Sequence, residues 1–265
     1  MTLYHCSLTL HDNVFFATRE MGILYETEKY LHNWALSYAL FEATYIPKPY
    51  RLKGALAQRP SYLEDPETHE QSLQILNRVG IYVFPAQPLI WSYQVNTFKA
   101  AQVSYYGKSK QFGDKGANRN YPINYGRAKE LAVGSRYRAF LVAASEIQIA
   151  KTQWIRLGKW SAKIRVEMTA IPDTWVQSKS GEYTSLHPLN PLDLPASNRL
   201  LLYNRIVMPP VSLVSQAQLS GDYWQIRRPS GERNNNDSEL DGLQIEGTCL
   251  PQGMFYGASS TANVS

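Results

Sequence analysis

Cysteine is almost missing from this sequence. Cys6 and Cys249 are the only two in 265 residues and stand far apart, each within a strand-like run. That count excludes a disulfide framework and a cysteine-built zinc site, and both thiols are expected to be free and buried. Histidine is scarce as well. His5, His11, His32, His69 and His187 show no paired ligand spacing, so no metal and no cofactor is expected. No uninterrupted apolar run approaches the roughly 20 residues that span a bilayer, and no basic segment with a long apolar core opens the sequence. The expectation is a cytoplasmic protein with no membrane partner. No Gly-rich turn has the strand and helix context of a phosphate loop, and no Ser or Cys sits in a nucleophile elbow. Nucleotide hydrolysis and acyl transfer are set aside on that ground.

Charge is present in modest amount and uneven in placement. The net charge is only +5, yet Lys99 to Arg138 holds nine cations (Lys99, Lys108, Lys110, Lys115, Arg119, Arg127, Lys129, Arg136, Arg138) against Asp114 and Glu130, a net +7. Lys151, Arg156, Lys159, Lys163 and Arg165 follow with no acid among them. These two segments together carry +12, which leaves the rest of the chain at −7. Cations gathered in this way mark an electrostatic footprint. Tyr105, Tyr106, Phe112, Tyr121 and Tyr125 run through the first segment with Gly107, Gly113, Gly116 and Gly126. It reads as an extended cationic arm with aromatic faces. Phosphates call for cations that release counterions, and unstacked bases call for rings, so single-stranded nucleic acid is the ligand class indicated. The chain's 18 Tyr and 6 Trp also exceed what a core needs and suit a ligand or partner surface.

The length suffices for a real core in one large or two modest domains. Leu3 to Leu10 alternates, with Tyr4, Cys6, Leu8 and Leu10 on one face and His5, Ser7 and Thr9 on the other, as a half-buried strand does. Leu31, Trp34, Ala35 and Tyr38 fall at helical spacing, which predicts an amphipathic helix from Glu28 to about Glu42. Pro47 to Glu70 reads as a surface excursion. Ile81 to Phe84, Trp91 to Tyr106 and Tyr137 to Ala144 read as strands, so the arm is an insertion between two strands of a sheet. Trp154 to Val166 reads as two short strands meeting at a Gly158-Lys159 turn. Beyond it, prolines punctuate short β-prone runs such as Arg199 to Met208 and Asp222 to Arg228, and Arg227 to Gly242 is a polar loop.

Metal-independent RNA cleavage needs only an acid and a base about the 2′-hydroxyl and the leaving oxygen. His11, Tyr25, His32 or a lysine of the arm are the candidates, and the sequence picks no pair among them.

The stretch HDNVFFATREMGILYETEKYLHNWALSYAL (11–40), the run NYGRAKELAVGSRYRAFL, the turn WIRLGKWSAKIRV and the segment SGDYWQI together resemble a CRISPR-associated family. It is the subunit that caps the 5′ end of the guide RNA in the type I-D Cascade complex, and the resemblance reaches to about Tyr256. It implies an α+β protein of the RAMP superfamily, with a ferredoxin-like, RNA-recognition-type antiparallel sheet carrying an inserted basic thumb. On this reading residues 1–168 form that core, with the thumb at 99–138, and residues 169–265 form a β-rich part packed on it. It further implies CRISPR RNA as ligand, target DNA near its adjacent motif, and a Cascade backbone subunit and large subunit as partners.

The expected RNA contacts are Lys108, Lys110, Lys115, Arg119, Tyr121, Tyr125, Arg127, Arg136 and Arg138 from the arm, and Arg156, Lys159, Lys163 and Arg165 from the turn. Relatives in another subtype cleave precursor RNA, but no catalytic set aligns onto this sequence. The expectation is a non-catalytic binding subunit. The alternatives are a metal-independent endoribonuclease that processes CRISPR repeat RNA, and an RNA-binding module unrelated to CRISPR.

Overall fold

A computed structural model describes residues 1–41, 63, 72–99, 125–229 and 244–258. In chain order the elements are β1 (Thr2–Leu10), β2 (Arg19–Met21), β3 (Leu24–Glu26), α1 (Asn33–Leu40), α2 (Gln74–Arg78), β4 (Ile81–Val83), β5 (Gln87–Ile90), β6 (Tyr93–Lys99) and β7 (Tyr125–Leu131). There follow β8 (Arg136–Ala143), β9 (Thr152–Leu157), β10 (Ala162–Ala170), β11 (Val176–Ser185), β12 (Arg199–Ile206), β13 (Leu213–Ile226) and β14 (Cys249–Pro251). A main sheet runs β4-β8-β1-β10-β9, with β5 also paired to β8. A second sheet runs β2-β3-β7-β6, and a third runs β11-β13-β12 with β14 on β13.

The alternation read in the first strand is what organises the main sheet. β1 is hydrogen-bonded to β8 on one side and β10 on the other, antiparallel to both. Residues directly opposite in an antiparallel pair share a face, so Cys6, Leu8 and Leu10 line up with Ala139 and Tyr137 and with Met168, Val166 and Ile164. Ile155 and Leu157 of β9 continue that face. All of these are buried in one apolar core together with Trp34 and Leu36 of α1. Burial of each such aliphatic side chain stabilises by about 1.5–3 kcal/mol, and a one-residue slip in β1 would turn the whole set outward.

The protein is mostly β, which corrects the α+β, ferredoxin-like expectation. A ferredoxin-like core needs two helices crossing over its sheet, whereas the described residues hold α1 of eight residues and α2 of five. The chain passes from β8 to β9 and from β9 to β10 without a helix. The sequence-predicted helix also shrinks at its start, because the backbone of Leu31 is spent on a two-way bridge to Ala86, with N–H to O distances of 3.3 and 2.9 Å. Helical bonding begins only after His32, whose Nδ1 accepts from the Trp34 N–H at 3.1 Å and caps the helix. Its Nε2 lies 3.1 Å from the Val211 carbonyl, so this imidazole is a neutral cap with its proton on Nε2. Cys6 is a buried free thiol, whereas Cys249 is free but only half-buried.

One buried carboxylate ties α1, β4 and the C-terminal segment together. Asp193 accepts from Asn33 Nδ2 at 2.8 Å, Trp34 Nε1 at 3.1 Å, Tyr82 OH at 3.2 Å and the Gly257 N–H at 3.0 Å. Beside it, Tyr256 OH takes the Val83 N–H at 3.0 Å and meets Ser37 Oγ at 2.6 Å. Burial raises the Asp193 carboxyl to about 6, with the four donors restraining the rise. Replacing Asp193 with Ala removes the acceptor of four buried donors, and we expect a loss of about 3 kcal/mol or more, read as a lower urea midpoint with unchanged slope.

The buried histidines set the acid response. Burial lowers His32 to about 3 and, with the Arg138 charge, His5 to about 4, and it holds His187 well below the ordinary range. Below about pH 6.5 the unfolded chain takes up three protons that the fold refuses, so stability falls as pH falls. Asp193 acts the other way, because the fold accepts its proton near pH 6 and the unfolded chain only near 3.8. The difference is two protons near pH 5, or about 3 kcal/mol per pH unit. Urea midpoints measured from pH 7 to 5 are expected to drop steeply below pH 6.5, and a flat profile would show that these histidines are not buried neutral.

Candidate nucleic-acid interface

The opposite face of the main sheet is graded from closed to open. The row Phe140–His5–Thr169 crosses β8, β1 and β10. His5 and Phe140 in it are buried, with the His187 ring 5.0 Å from Phe140. The next row runs Gln87–Arg138–Ser7–Glu167–Thr152 across five strands, and the one after runs Ile90–Arg136–Thr9–Arg165–Trp154. Lys163 and Arg156 pair beyond it. Ile90, Arg136, Trp154, Arg156 and Lys163 are exposed, and Arg165 is half-buried.

Arg138 stands at the border. Its Nη1 donates to the Gln244 carbonyl at 2.9 Å and its Nη2 to Gln87 Oε1 at 3.0 Å, while burial pushes its pKa down. Arg165 is held by Glu167 at 2.6 Å. Five cations therefore face one side, against Glu167 and, at the rim, Asp12. The second sheet treats its charges differently. Arg19 pairs with Glu28 at 2.6 Å and Lys129 with Glu26 at 3.0 Å, so two of its cations are offset by nearby acids.

The β9–β10 hairpin is held out by its turn. Gly158 has φ +81°, and a Cβ there would lie 2.7 Å from the Phe15 carbonyl oxygen, which instead accepts the Lys159 N–H at 2.8 Å. Only glycine combines that conformation with that approach. Trp160 then packs on Phe15 at 4.5 Å and reaches Phe98 of β6 at 6.1 Å. Trp154 is 51 % exposed. Lys163 Nζ sits 4.2 Å from its ring centroid and the His11 ring meets it edge-on at 4.8 Å.

Residues 1–259 match the family described as type I-D CRISPR-associated protein Cas5/Csc1. The chain belongs to that family. No curated protein matches the sequence. Among solved structures, a chain of a type III-B Cmr-beta complex bound to cognate target RNA and AMPPnP is 10 % identical. It has a TM-score of 0.43, with 82 % of this chain and 86 % of that one covered. A CRISPR protein from Archaeoglobus fulgidus is 11 % identical with a TM-score of 0.42, and 88 % of this chain and 98 % of that one are covered.

In this Cas5/Csc1 chain, Arg136, Arg138, Arg156, Lys163 and Arg165 share one sheet face, and Lys159 occupies the hairpin tip. Arg127 is exposed on β7 of the second sheet, where Tyr125 opens the strand. Lys108, Lys110, Lys115, Arg119 and Tyr121 lie outside the described residues. The interval 99–138 proposed as a thumb includes β7 and the start of β8, so most of its C-terminal third is paired strand.

His32 is locked in the core as a helix cap, and Tyr25 is half-buried beside Phe98 at 5.7 Å. His11 alone of the named acid–base candidates is a histidine at the surface. Among the described residues no three His, Cys, Asp or Glu side chains gather as metal ligands would. Trp154 and Asp12 are additions to the expected site, and His11, named from sequence only as an acid–base candidate, lies beside Trp154. The polar-face alternation Thr152, Trp154, Arg156 was the available signal, since a tryptophan on that face has no core to fill.

Alanine at Gly158 and at Gly134 separates conformation from contact. Both have positive φ, but a Cβ at Gly134 meets nothing within 4 Å. We expect Gly134→Ala to cost about 1 kcal/mol and Gly158→Ala about 1–2 kcal/mol more, measured by urea unfolding.

Proposed function

We propose that this CRISPR-associated chain is the RNA-binding subunit of a type I-D Cascade complex, holding the 5′ handle of the guide RNA on the open half of its main sheet. The observation that carries the reading is the exposed ledge built by Arg136, Arg156, Lys163 and Arg165 around Trp154. Cations on a rigid sheet neutralise phosphates, and an exposed ring offers a stacking plane to a base. The arm after β6 is the second contact in this proposal. It leaves the sheet whose β6 touches the hairpin tip through Phe98.

Assembly with the backbone and large subunits, and proximity to target DNA at its adjacent motif, belong to the same proposal. We assign no catalytic role. His32 is enclosed and holds its proton on Nε2 against a carbonyl, and His11 lies edge-on to an indole. A ring so placed props an aromatic rather than flanks a reacting 2′-hydroxyl.

Binding of handle RNA is expected to weaken steeply with salt, because each neutralised phosphate adds about 0.7 to the slope of log affinity against log salt for a single strand. Replacing Lys159 and Lys163 together with Gln should lower that slope by about one to two units. A slope that is flat in the parent chain would overturn the electrostatic reading. Incubation of the full chain with repeat RNA in chelator should leave the RNA intact, and defined fragments that vanish in His11→Ala would establish the endoribonuclease reading in its place.

A further inference from the structure

We propose that Trp154, Asp12 and His11 form a base-reading subsite that takes one unstacked nucleotide of single-stranded RNA and favours a base bearing an exocyclic amine. The inference rests on the RNA-binding reading above and names what the ledge recognises.

The indole is the first argument. On β9 the neighbouring Ile155 and Leu157 point into the core and are nearly closed to solvent, so the strand needs no aromatic on its other side to stay buried. Trp154 nonetheless stands there half-exposed, at the end of a five-strand row, and its ring is fixed rather than free. Lys163 Nζ lies 4.2 Å from the ring centroid and His11 meets it at 4.8 Å with the planes at 67°. Lys163 occupies one face of the indole, so a base stacks on the part of the ring that stays open to solvent, and Lys163 lies close enough to meet that nucleotide's phosphate.

Asp12 is the second argument, because it is an acid at the rim of a face whose five cations are otherwise opposed by Glu167 alone among the described residues, and Glu167 is taken up by Arg165 at 2.6 Å. The backbone pins it there. The N–H groups of His11 and Asp12 both donate to the Lys163 carbonyl, at 2.9 and 3.3 Å, and the Lys163 N–H donates to Asp12 Oδ2 at 2.9 Å. Arg156 Nη1 is 3.7 Å from that same oxygen. Oδ1 has no hydrogen-bond partner among the described residues. A carboxylate oxygen repels phosphate and accepts from N–H, so beside a stacking ring its ligand is the amine of a base edge, as on cytosine N4. Uracil offers only its N3–H, flanked on both sides by carbonyl oxygens that the carboxylate repels, whereas cytosine N4 donates from the end of the edge with no second oxygen beside it.

The test is fluorescence anisotropy of the full chain with oligo-rC and oligo-rU of eight nucleotides, at fixed low salt. The parent chain is expected to bind oligo-rC several-fold more tightly than oligo-rU. Trp154→Ala should weaken both by about 5- to 100-fold, with an unchanged urea midpoint because the side chain is outside the core. Asp12→Asn keeps an oxygen for the Lys163 N–H, so a purely structural role would survive the change. If Asp12 reads the base, this variant binds the two oligomers equally.

Unchanged affinity in Trp154→Ala, with RNA binding otherwise intact, would overturn the subsite and leave the ledge as a phosphate surface only. Loss of partner assembly in that variant without loss of RNA affinity would mark a protein contact and equally overturn it. Absence of RNA binding by the parent chain would remove the underlying reading together with the subsite.

Discussion

Everything exposed on the main sheet follows from β1 being paired along both edges. A strand with a free edge can twist or slip to hide an awkward side chain, but one bonded to β8 and β10 throughout has its two faces fixed by the period of two. Cys6, Leu8 and Leu10 must then point one way, and the residues aligned with Ser7 and Thr9 must point the other. Core burial on the first side is the driving term, and it places Arg136, Arg138 and Arg165 on the second without any interaction among those cations being favourable. Their mutual repulsion is tolerated because the sheet is held from its other face. Arg165 is offset by Glu167 and Arg138 is bonded to Gln87 and Gln244, while Arg136 stays exposed, so the surface keeps a positive potential that favours an anion.

The closed half of the same face shows the contrast. Towards Phe140 and His5 the third sheet's neighbourhood covers the strands, with His187 against both Phe84 and Phe140. Polar groups caught beneath it are neutral or only partly bonded. Among the described residues His5 Nε2 and Arg138 Nε have no hydrogen-bond partner, and burial lowers the pKa of the His5 and His187 imidazoles and of the guanidinium. The fold thus spends stability at the edge of the cationic ledge. Elsewhere in the core Asp193 is buried as well, but four donors from α1, β4 and the C-terminal segment offset part of its desolvation.

How much of this was legible depended on whether the signal was local. The first strand, the hairpin at Gly158 and Lys159, and the clustering of Arg156, Lys163 and Arg165 follow from alternation and turn chemistry over a dozen residues. Fold class did not, because one apolar stripe around Trp34 looks the same on a helix of eight residues as on one of about fifteen, and the bridge that shortens it comes from Ala86, far along the chain. The second sheet was missed for the same reason: Leu24 to Glu26 is three residues long, and what makes it a strand is its parallel pairing with Arg127 to Lys129. Cations were counted correctly in sequence, yet Lys129 and Arg138 are engaged by Glu26 and by Gln87 and Gln244, which charge counting cannot foresee.

The two cationic segments, apart in sequence, are physically joined. Trp160 at the hairpin tip packs on Phe15 and reaches Phe98, and Phe98 in turn lies against Tyr25 of β3 and fills the space over Gly126 of β7, where a Cβ would come within 2.5 Å of its ring. Phe98 is the residue before Lys99, at the point where β6 gives way to the arm. The aromatic seam therefore fixes the root of the arm against the hairpin, whatever the arm itself does. Because the hairpin's other side is sealed into the core by Ile155, Leu157, Ile164 and Val166, a load on the arm's root is passed to a rigid sheet rather than to a free turn. In the RNA-binding role proposed above, this fixed root would let a strand held by the hairpin meet the second basic segment at high effective concentration.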